Sequence, residues 1–225
     1  MAGMAMSGSH GLTGRISNMK ITLLTASTSN DSYWNVLGLS APNKLEYCLR
    51  HKIQLVIAEH KNYNAYTNWG ERESFILDTL NSYDCDWAFF QGTDTLITNM
   101  TIDVRSLVNP EYDIIIGVDI NGINNDSMFF QNTAKTKEFL DRTISLKNKL
   151  PNDQVAMAQV MKEMQDLRVW YVSQRMFNSM KYDEYGYGAY PQGNWQPGDF
   201  VIHFAGLTNE KRVALMSEYL NKITR

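Results

Sequence analysis

The sequence predicts an α/β fold, a mainly parallel central sheet flanked by helices, and three observations predict it. Short apolar runs rich in β-branched and aromatic residues alternate with longer stretches of helical periodicity. Apolar residues make up 44% of the 225, which is core enough for one large domain. The apolar runs end in polar loops, as strands of a buried parallel sheet do where ligands enter.

Residues 1–18 are small, polar and rich in Gly and Ser, with none of the apolar stretch of about 7–15 residues that a signal peptide needs. They read as a disordered leader or cloning remnant ahead of a single domain, 19–225. The first strand covers 19–25 and empties into a polar loop, 26–31. A helical stretch follows and is expected to break at Pro42, which lacks an N–H, and to resume over 43–51. A second strand is expected over 53–58, then a helix over 71–82 with Phe75, Ile76 and Leu80 on one side. A third strand, 86–91, ends at Gly92-Thr93-Asp94. Residues 112–119 form a fourth strand, with its three consecutive isoleucines. Beyond it the alternation loosens: strands over 127–132, 168–173 and 200–204, and helices over 133–148, 153–166 and 209–223. Residues 182–198, rich in Tyr, Gly and Pro, read as an irregular loop.

Composition excludes several classes. With 24 acidic against 21 basic residues the net charge is −3, so there is no basic excess to hold a nucleic acid. No apolar run has the length of a membrane span. Two cysteines, Cys48 and Cys85, make neither a disulfide framework nor a zinc site. Without a signal peptide, Asn30, Asn99 and Asn125 are chance glycosylation triplets and the reducing cytoplasm is the default compartment. The chain is expected to be soluble, either a microbial or viral enzyme or a truncated chain.

In open α/β sheets ligands bind beyond the carboxyl ends of the strands, where the winding reverses. That singles out the loops at 25–31, 92–94 and 203–206. Asp94 follows a fully apolar strand, and a carboxylate there is a hard oxygen ligand for a divalent cation or an acceptor for a sugar hydroxyl. An Asp turn, or a helix cap leading into 95–100, is the alternative. His203 is a polar residue inside an apolar strand, either a satisfied core histidine or a metal ligand. Gly206 permits close backbone approach to a ligand. Lys211 and Arg212 stand near the start of a helix, where basic side chains and free N–H groups favour phosphate. Carboxylate, imidazole, glycine and lysine together suit a metal–pyrophosphate site, and the mixed oxygen and nitrogen ligands lean toward Mn²⁺ over Mg²⁺.

The order of four segments carries a resemblance: Asn43-Lys-x-x-Tyr-x-x-x-His51, residues 86–99 around Gly92-Thr93-Asp94, residues 125–133 beginning Asn125-Asp126-Ser127, and Asp153-Gln154 followed by Val201-Ile-His-Phe-Ala-Gly206. In that order they resemble retaining GT-A-fold glycosyltransferases of the yeast-type α-galactosyl- and α-mannosyltransferase and plant xyloglucan xylosyltransferase family.

The resemblance implies a Rossmann-like nucleotide-binding half and an acceptor half. The implied reaction moves a sugar from a nucleoside-diphosphate sugar, UDP-linked by expectation, to a hydroxyl of a glycan or glycoprotein with retained configuration. It assigns the metal to Asp94 and His203. The nucleotide and its phosphates fall to Thr25, Ala26, Ser27, Gln91, Gly92, Thr93, Gly206 and Lys211, with Arg72 adding positive charge. Gln154, Asp153 and Asp126 fall near the sugar. Gln is a poor nucleophile, so same-face attack is favoured, with Gln154 and Asp126 as polar stabilisers. For Asp153 a place in the first turn or cap of its helix is the equal alternative. Tyr185, Tyr187, Tyr190 and Trp195 are either an acceptor platform or a packed surface loop.

Two departures stand out. The first aspartate of the family's DxD motif is Gly92 here, read as a lost ligand whose place Thr93, the backbone or a water would take. Asn125-Asp126-Ser127 replaces Asn-Ala-Gly. A weakened relative that binds nucleotide sugar or glycan without transfer is one competing reading, and a nucleotidyltransferase or nucleotide-binding domain is the other.

Overall fold

The computed structural model describes residues 18–28, 31–60, 69–181 and 192–225. Among the described residues nine strands run in chain order: β1 (Ile21–Thr28), β2 (Gln54–His60), β3 (Trp87–Gln91), β4 (Thr95–Ile97), β5 (Ile114–Asp119), β6 (Gly122–Gln131), β7 (Val169–Ser173), β8 (Ser179–Met180) and β9 (Val201–His203). Five helices accompany them: α1 (Asp31–His51), α2 (Glu71–Ser82), α3 (Ala134–Ser145), α4 (Asp153–Glu163) and α5 (Asn209–Tyr219).

Six strands form one sheet in the order β2-β1-β3-β6-β5-β7. β1 pairs in parallel with β2 and β3, and β5 with β7, while β6 runs antiparallel between β3 and β5. Alternation along each strand divides the apolar residues between two faces. Leu24, Phe90, Ile116, Met128 and Phe130 pack under α2, α3 and α4 in one core cluster. Leu23, Phe89, Ile115 and Phe129 join Tyr47 of α1, Phe177 and Phe200 in another. Phe89 and Phe129, opposite each other across the β3–β6 ladder, stack with ring centroids 4.0 Å apart.

From β1 the chain winds one way to β2, then crosses back over β1 to β3, so the winding reverses between β1 and β3. That reversal is where an α/β sheet opens its ligand crevice. Immediately after β3 the chain leaves the large sheet through Gly92-Thr93-Asp94 and enters a second, three-stranded sheet, β4-β9-β8. Short strands of three and two residues carry too little periodicity to be read from sequence, and this sheet was not expected. Its β4–β9 pairing sets Thr95 opposite His203, and the Phe204 amide donates to the Asp94 carbonyl at 2.9 Å.

Four expectations are revised. α1 runs without a break through Pro42. Its second half is clamped from outside: Asn43 exchanges hydrogen bonds of 2.8 and 3.0 Å with Ile97, the Tyr47 hydroxyl donates to the Ile102 carbonyl at 2.9 Å, and His51 meets the Met100 carbonyl at 2.8 Å. These residues are four apart, hence on one face of the helix, and tertiary bonds on that face outweigh the single bond proline removes. β1 continues to Thr28, so Thr25, Ala26 and Ser27 belong to the strand end and not to a loop. β6 begins at Gly122, earlier than expected, because Gly117–Asp119 pair with Gly122–Asn124 beyond a bulge in β5. The closing helix stops at Tyr219 and passes into a 3₁₀ turn, Leu220–Lys222.

Candidate active site

The loop 92–94 is held from beneath. Lys44 of α1, fully buried, donates to the carbonyls of Gly92 and Thr95, each at 3.1 Å. Burial pushes its ammonium down to about 7 against the opposing pull of Asp94. The Thr93 hydroxyl donates to the Ala26 carbonyl, tying the loop to β1. Gln91 is buried, with its amide spent on Ser127, Thr95 and the Phe177 carbonyl. The Asn-Lys-x-x-Tyr-x-x-x-His segment, mute as composition, is thus the scaffold of this loop.

On that scaffold Asp94 and His203 meet. His203 Nε2 stands 3.4 Å from Asp94 Oδ1 and 3.3 Å from Asp126 Oδ2. Two ligands of one cation, each about 2.0–2.6 Å from it, lie within roughly 5 Å of each other. One ligand atom from each of Asp94, Asp126 and His203 falls within 4.8 Å of the others. The imidazole is fully buried, with Nε2 between two carboxylates and Nδ1 without a hydrogen bond. Burial disfavours its charged form, yet the two carboxylates outweigh that and hold it at about 10. Burial acts against the Asp94 carboxylate too, but His203 and Arg212 hold it well below the usual range. Asp94 neither caps a helix nor opens one, since residues 95–97 are strand. Two oxygens and one nitrogen form a donor set that suits a divalent transition metal.

Beside this triad lies a second polar group. Arg72, in the first turn of α2, places Nη2 2.9 Å from Glu73 and 3.1 Å from Asp153 Oδ2. Its Nη1 reaches Asp126 Oδ1 at 3.4 Å and the Asn125 carbonyl at 3.2 Å. Asn125 Nδ2 donates to Asp153 Oδ1 at 3.0 Å. Glu73 is fully buried, and burial raises its carboxyl despite Arg72. The cap of α4 is Asn152, which accepts from the Val155 amide at 2.8 Å, so Asp153 is released from capping to face Arg72, and Gln154 follows it.

Other expected residues sit as follows. Thr25 and Ser27 are buried at the end of β1, next to the 92–94 loop. Gly206 takes φ +65 in the turn after β9, a conformation glycine adopts at no steric cost. Lys211 is exposed on the first turn of α5, and it is Arg212 that turns inward, placing Nη2 2.9 Å from Asp94 Oδ2. Arg212 also donates to the Tyr33 hydroxyl and the Phe204 carbonyl, each at 3.1 Å. Sequence reasoning set it beside Lys211; the helical phase decides between them. Tyr185, Tyr187 and Tyr190 lie outside the described residues. Trp195, partly buried, packs edge-on to Tyr219 against the core and donates Nε1 to Thr98 at 2.9 Å. An open cavity of about 270 Å³ lies at the carboxyl ends of β5 and β7, lined by Val118, Tyr171, Val172, Ser173, Gln174 and Gln192.

Among the described residues no helix is long and apolar enough to cross a membrane. Comparison with known proteins agrees with the geometry. The family model of the galactosyl transferase GMA12/MNN10 family matches residues 17–112 and 108–214. A probable alpha-1,2-galactosyltransferase of Schizosaccharomyces pombe, gmh2, is 24% identical over 253 residues, covering 87% of this chain and 68% of its own. Among solved structures, a glycosyltransferase involved in glycosylation of the major capsid of PBCV-1 superposes with a TM-score of 0.71 at 15% identity, over 88% of this chain and 99% of that one. The galactosyltransferase LgtC, solved with donor and acceptor sugar analogues, gives 0.58 at 11% identity over 91% and 96%. With a GT-A fold and a family model that matches nearly all of its described length, this chain belongs to the galactosyl transferase GMA12/MNN10 family and is a glycosyltransferase.

Proposed function

We propose that the chain transfers a sugar from a nucleoside-diphosphate sugar, UDP-linked in the first instance, to a hydroxyl of a glycan or glycoprotein, with retention and with a divalent metal, Mn²⁺ before Mg²⁺. The observation that carries this reading is the meeting of Asp94 and His203 at the point where the sheet reverses its winding, with Nε2 of a buried imidazole facing carboxylate oxygens.

Asp94 and His203 would hold the ion, which when bound offsets the charge that develops on the departing diphosphate. Thr25, Ala26, Ser27 and Gly92-Thr93 are the strand-end residues near which nucleoside and ribose would lie, and Gly206 with the inward-turned Arg212, in place of Lys211, would border the phosphate side. Arg72, Asn125 and Asp153 lie next to the triad, where the sugar would sit, and Gln154 follows Asp153 in the first turn of α4. The bonds among Arg72, Asp153 and Asn125 fix these groups before any ligand arrives, so little reorganisation is left for the transition state. Asp153 and the half-buried Gln154 present polar oxygens to a developing positive charge on the sugar. No described side chain makes Gln154 a strong nucleophile, and attack from the leaving-group face remains the retaining route we favour.

Nucleoside-diphosphate release from a panel of UDP- and GDP-sugars, with Mn²⁺, Mg²⁺ or chelator, tests the reading. Release from one UDP-sugar that depends on metal and on an added acceptor is the expected result, with an axial product anomer by NMR if the donor is α-linked. Release unaffected by chelator would overturn the metal, and an inverted product would overturn retention.

A further inference from the structure

We propose that Asp126, projecting from the strand next to the 92–94 loop, is the third metal ligand, and that positions 92 and 126 are two alternative seats for one carboxylate. This rests on the metal-dependent reading above and deepens it.

The warrant is the register of the β3–β6 ladder. Gln91 pairs with Ser127, and the Gly92 amide continues the ladder by donating to the Asp126 carbonyl at 2.7 Å. Residues opposite each other in an antiparallel pair project side chains from the same face. A side chain at 92 and the side chain at 126 therefore point into the same space. The distances agree: a Cβ built on Gly92 would lie 3.5 Å from Asp126 Cβ and 3.1 Å from Asp94 Oδ1. Residue 92 has no φ in the left-handed region, so its backbone does not require glycine. The space is taken because Asp126 fills it.

Asp126 is aimed as a ligand. Its Oδ2 faces the buried imidazole of His203 at 3.3 Å, and its Oδ1 is 3.4 Å from Arg72, which orients the carboxylate from the other side. The expected replacements for a carboxylate at 92 are turned elsewhere: the Thr93 hydroxyl bonds the Ala26 carbonyl, and the Gly92 carbonyl accepts from Lys44 and the Thr95 hydroxyl. Exchange of the carboxylate between facing strands leaves Asp94 and His203 in place and keeps the donor set at two oxygens and one nitrogen.

The test is Mn²⁺ binding by calorimetry, with no donor present, to four proteins: the parent, Asp126→Asn, Gly92→Asp and the double variant. Asp126 is half-exposed, and Asn keeps its shape, so folding is checked by melting in chelator; Asp126→Ala gives the same comparison should Asn prove unstable. We expect Asp126→Asn to weaken Mn²⁺ at least about tenfold, the scale of a disturbed ligand shell. Gly92→Asp alone should not tighten it, because the added carboxylate meets Asp94 and Asp126. The double variant is made with Asp126→Ala, since Asn would still fill the space that the new carboxylate needs, and it should return to within about threefold of the parent. Parent-like affinity in Asp126→Asn overturns the ligand role, and a double variant no tighter than Asp126→Asn overturns the exchange. If Asp94→Asn also binds Mn²⁺ like the parent, the metal reading itself has failed, and the two failures are thereby told apart.

Discussion

Two polar clusters stand at opposite ends of the six-stranded sheet, and they are built on different principles. At the start of β5 and β7, Asp113 accepts from the Arg168 amide, Nε and Nη2, each at 3.0 Å, and from the Thr133 hydroxyl at 3.2 Å. Its carbonyl receives the Thr136 hydroxyl at 3.2 Å. One carboxylate meets one guanidinium and every group closes on another. At the far end, Asp94, Asp126, Asp153 and Glu73 crowd around Arg72, Arg212 and His203, with His203 Nδ1 and Glu73 Oε2 left without hydrogen bonds. Leaving buried polar atoms unmet costs stability. A cluster that closes on itself is a staple, and the one that leaves buried polar atoms unmet is where we propose the metal.

The comparison breaks first at Asp94. Asp94→Asn should cut transfer by about 10²–10³-fold, the cost of losing one preorganised electrostatic contact, and weaken Mn²⁺ and donor nucleotide together. Melting in chelator should fall as well, because His203 and Arg212 hold this buried carboxylate below its ordinary range and its charge therefore contributes stability. Unchanged nucleotide affinity with and without Mn²⁺, read by calorimetry, removes Asp94 from the site.

Asn43 joins the two kinds of structure. It is buried, and both ends of its amide bond Ile97 of β4, the strand that follows Asp94 directly. Asn43→Ala leaves the Ile97 amide and carbonyl unmet and should cost about 2–3 kcal/mol in urea unfolding. Donor affinity should fall as well, because β4 sets the position of Asp94 against His203. Lost stability with intact donor binding would show that the loop needs no support from α1.

Much of this was legible before any coordinates. The continuous apolar runs around Leu23-Leu24, Phe89-Phe90 and Phe129-Phe130 carry the sheet, since a strand buried on both faces needs an apolar residue for each. Asp94 was legible because it ends an apolar strand inside the 86–99 segment that carries the family resemblance, although an Asp turn or a helix cap is the ordinary alternative there. Asp126 facing the metal position was not, because it depends on β6 running antiparallel in one register, and a slip of a single residue would turn it to the other face. The choice of Arg212 over Lys211 depends on helical phase relative to β9, and the role of Asn43, Lys44 and Tyr47 on a pairing partner far along the chain. Local chemistry is written in the sequence, whereas partnership across elements emerges only when the sheet is assembled.

Asp113→Asn sharpens the contrast from the closed side. It keeps the shape but removes the charge that Arg168 meets, so the melting temperature should fall by about 4–8 °C, the value of two or three net hydrogen bonds in a chain of this size. Mn²⁺ affinity should stay within twofold, because the cluster lies at the other end of the sheet. A loss of metal binding comparable to that of Asp94→Asn would mean that the two ends are coupled and the division between them is false.

The smallest expected effect is the pH dependence of that same difference. Burial raises the Asp113 carboxyl, but the guanidinium and amide of Arg168 and the Thr133 hydroxyl outweigh it and hold the group below its ordinary value. A carboxylate held lower in the folded chain than in the unfolded one contributes stability that is fully present above its unfolded pKa, about 4, and is withdrawn as pH falls toward the folded value. A protonated aspartic acid resembles asparagine in shape and charge, so parent and Asp113→Asn should converge in acid. Melting temperatures of the two proteins in chelator should differ most near neutrality, and the gap should narrow by a few degrees between pH 5 and about pH 3. Taking the difference cancels the other acids, Asp94 among them, because both proteins carry them. A gap that stays constant to pH 3 would show that shape at position 113, and not its charge on Arg168, is what closes this cluster.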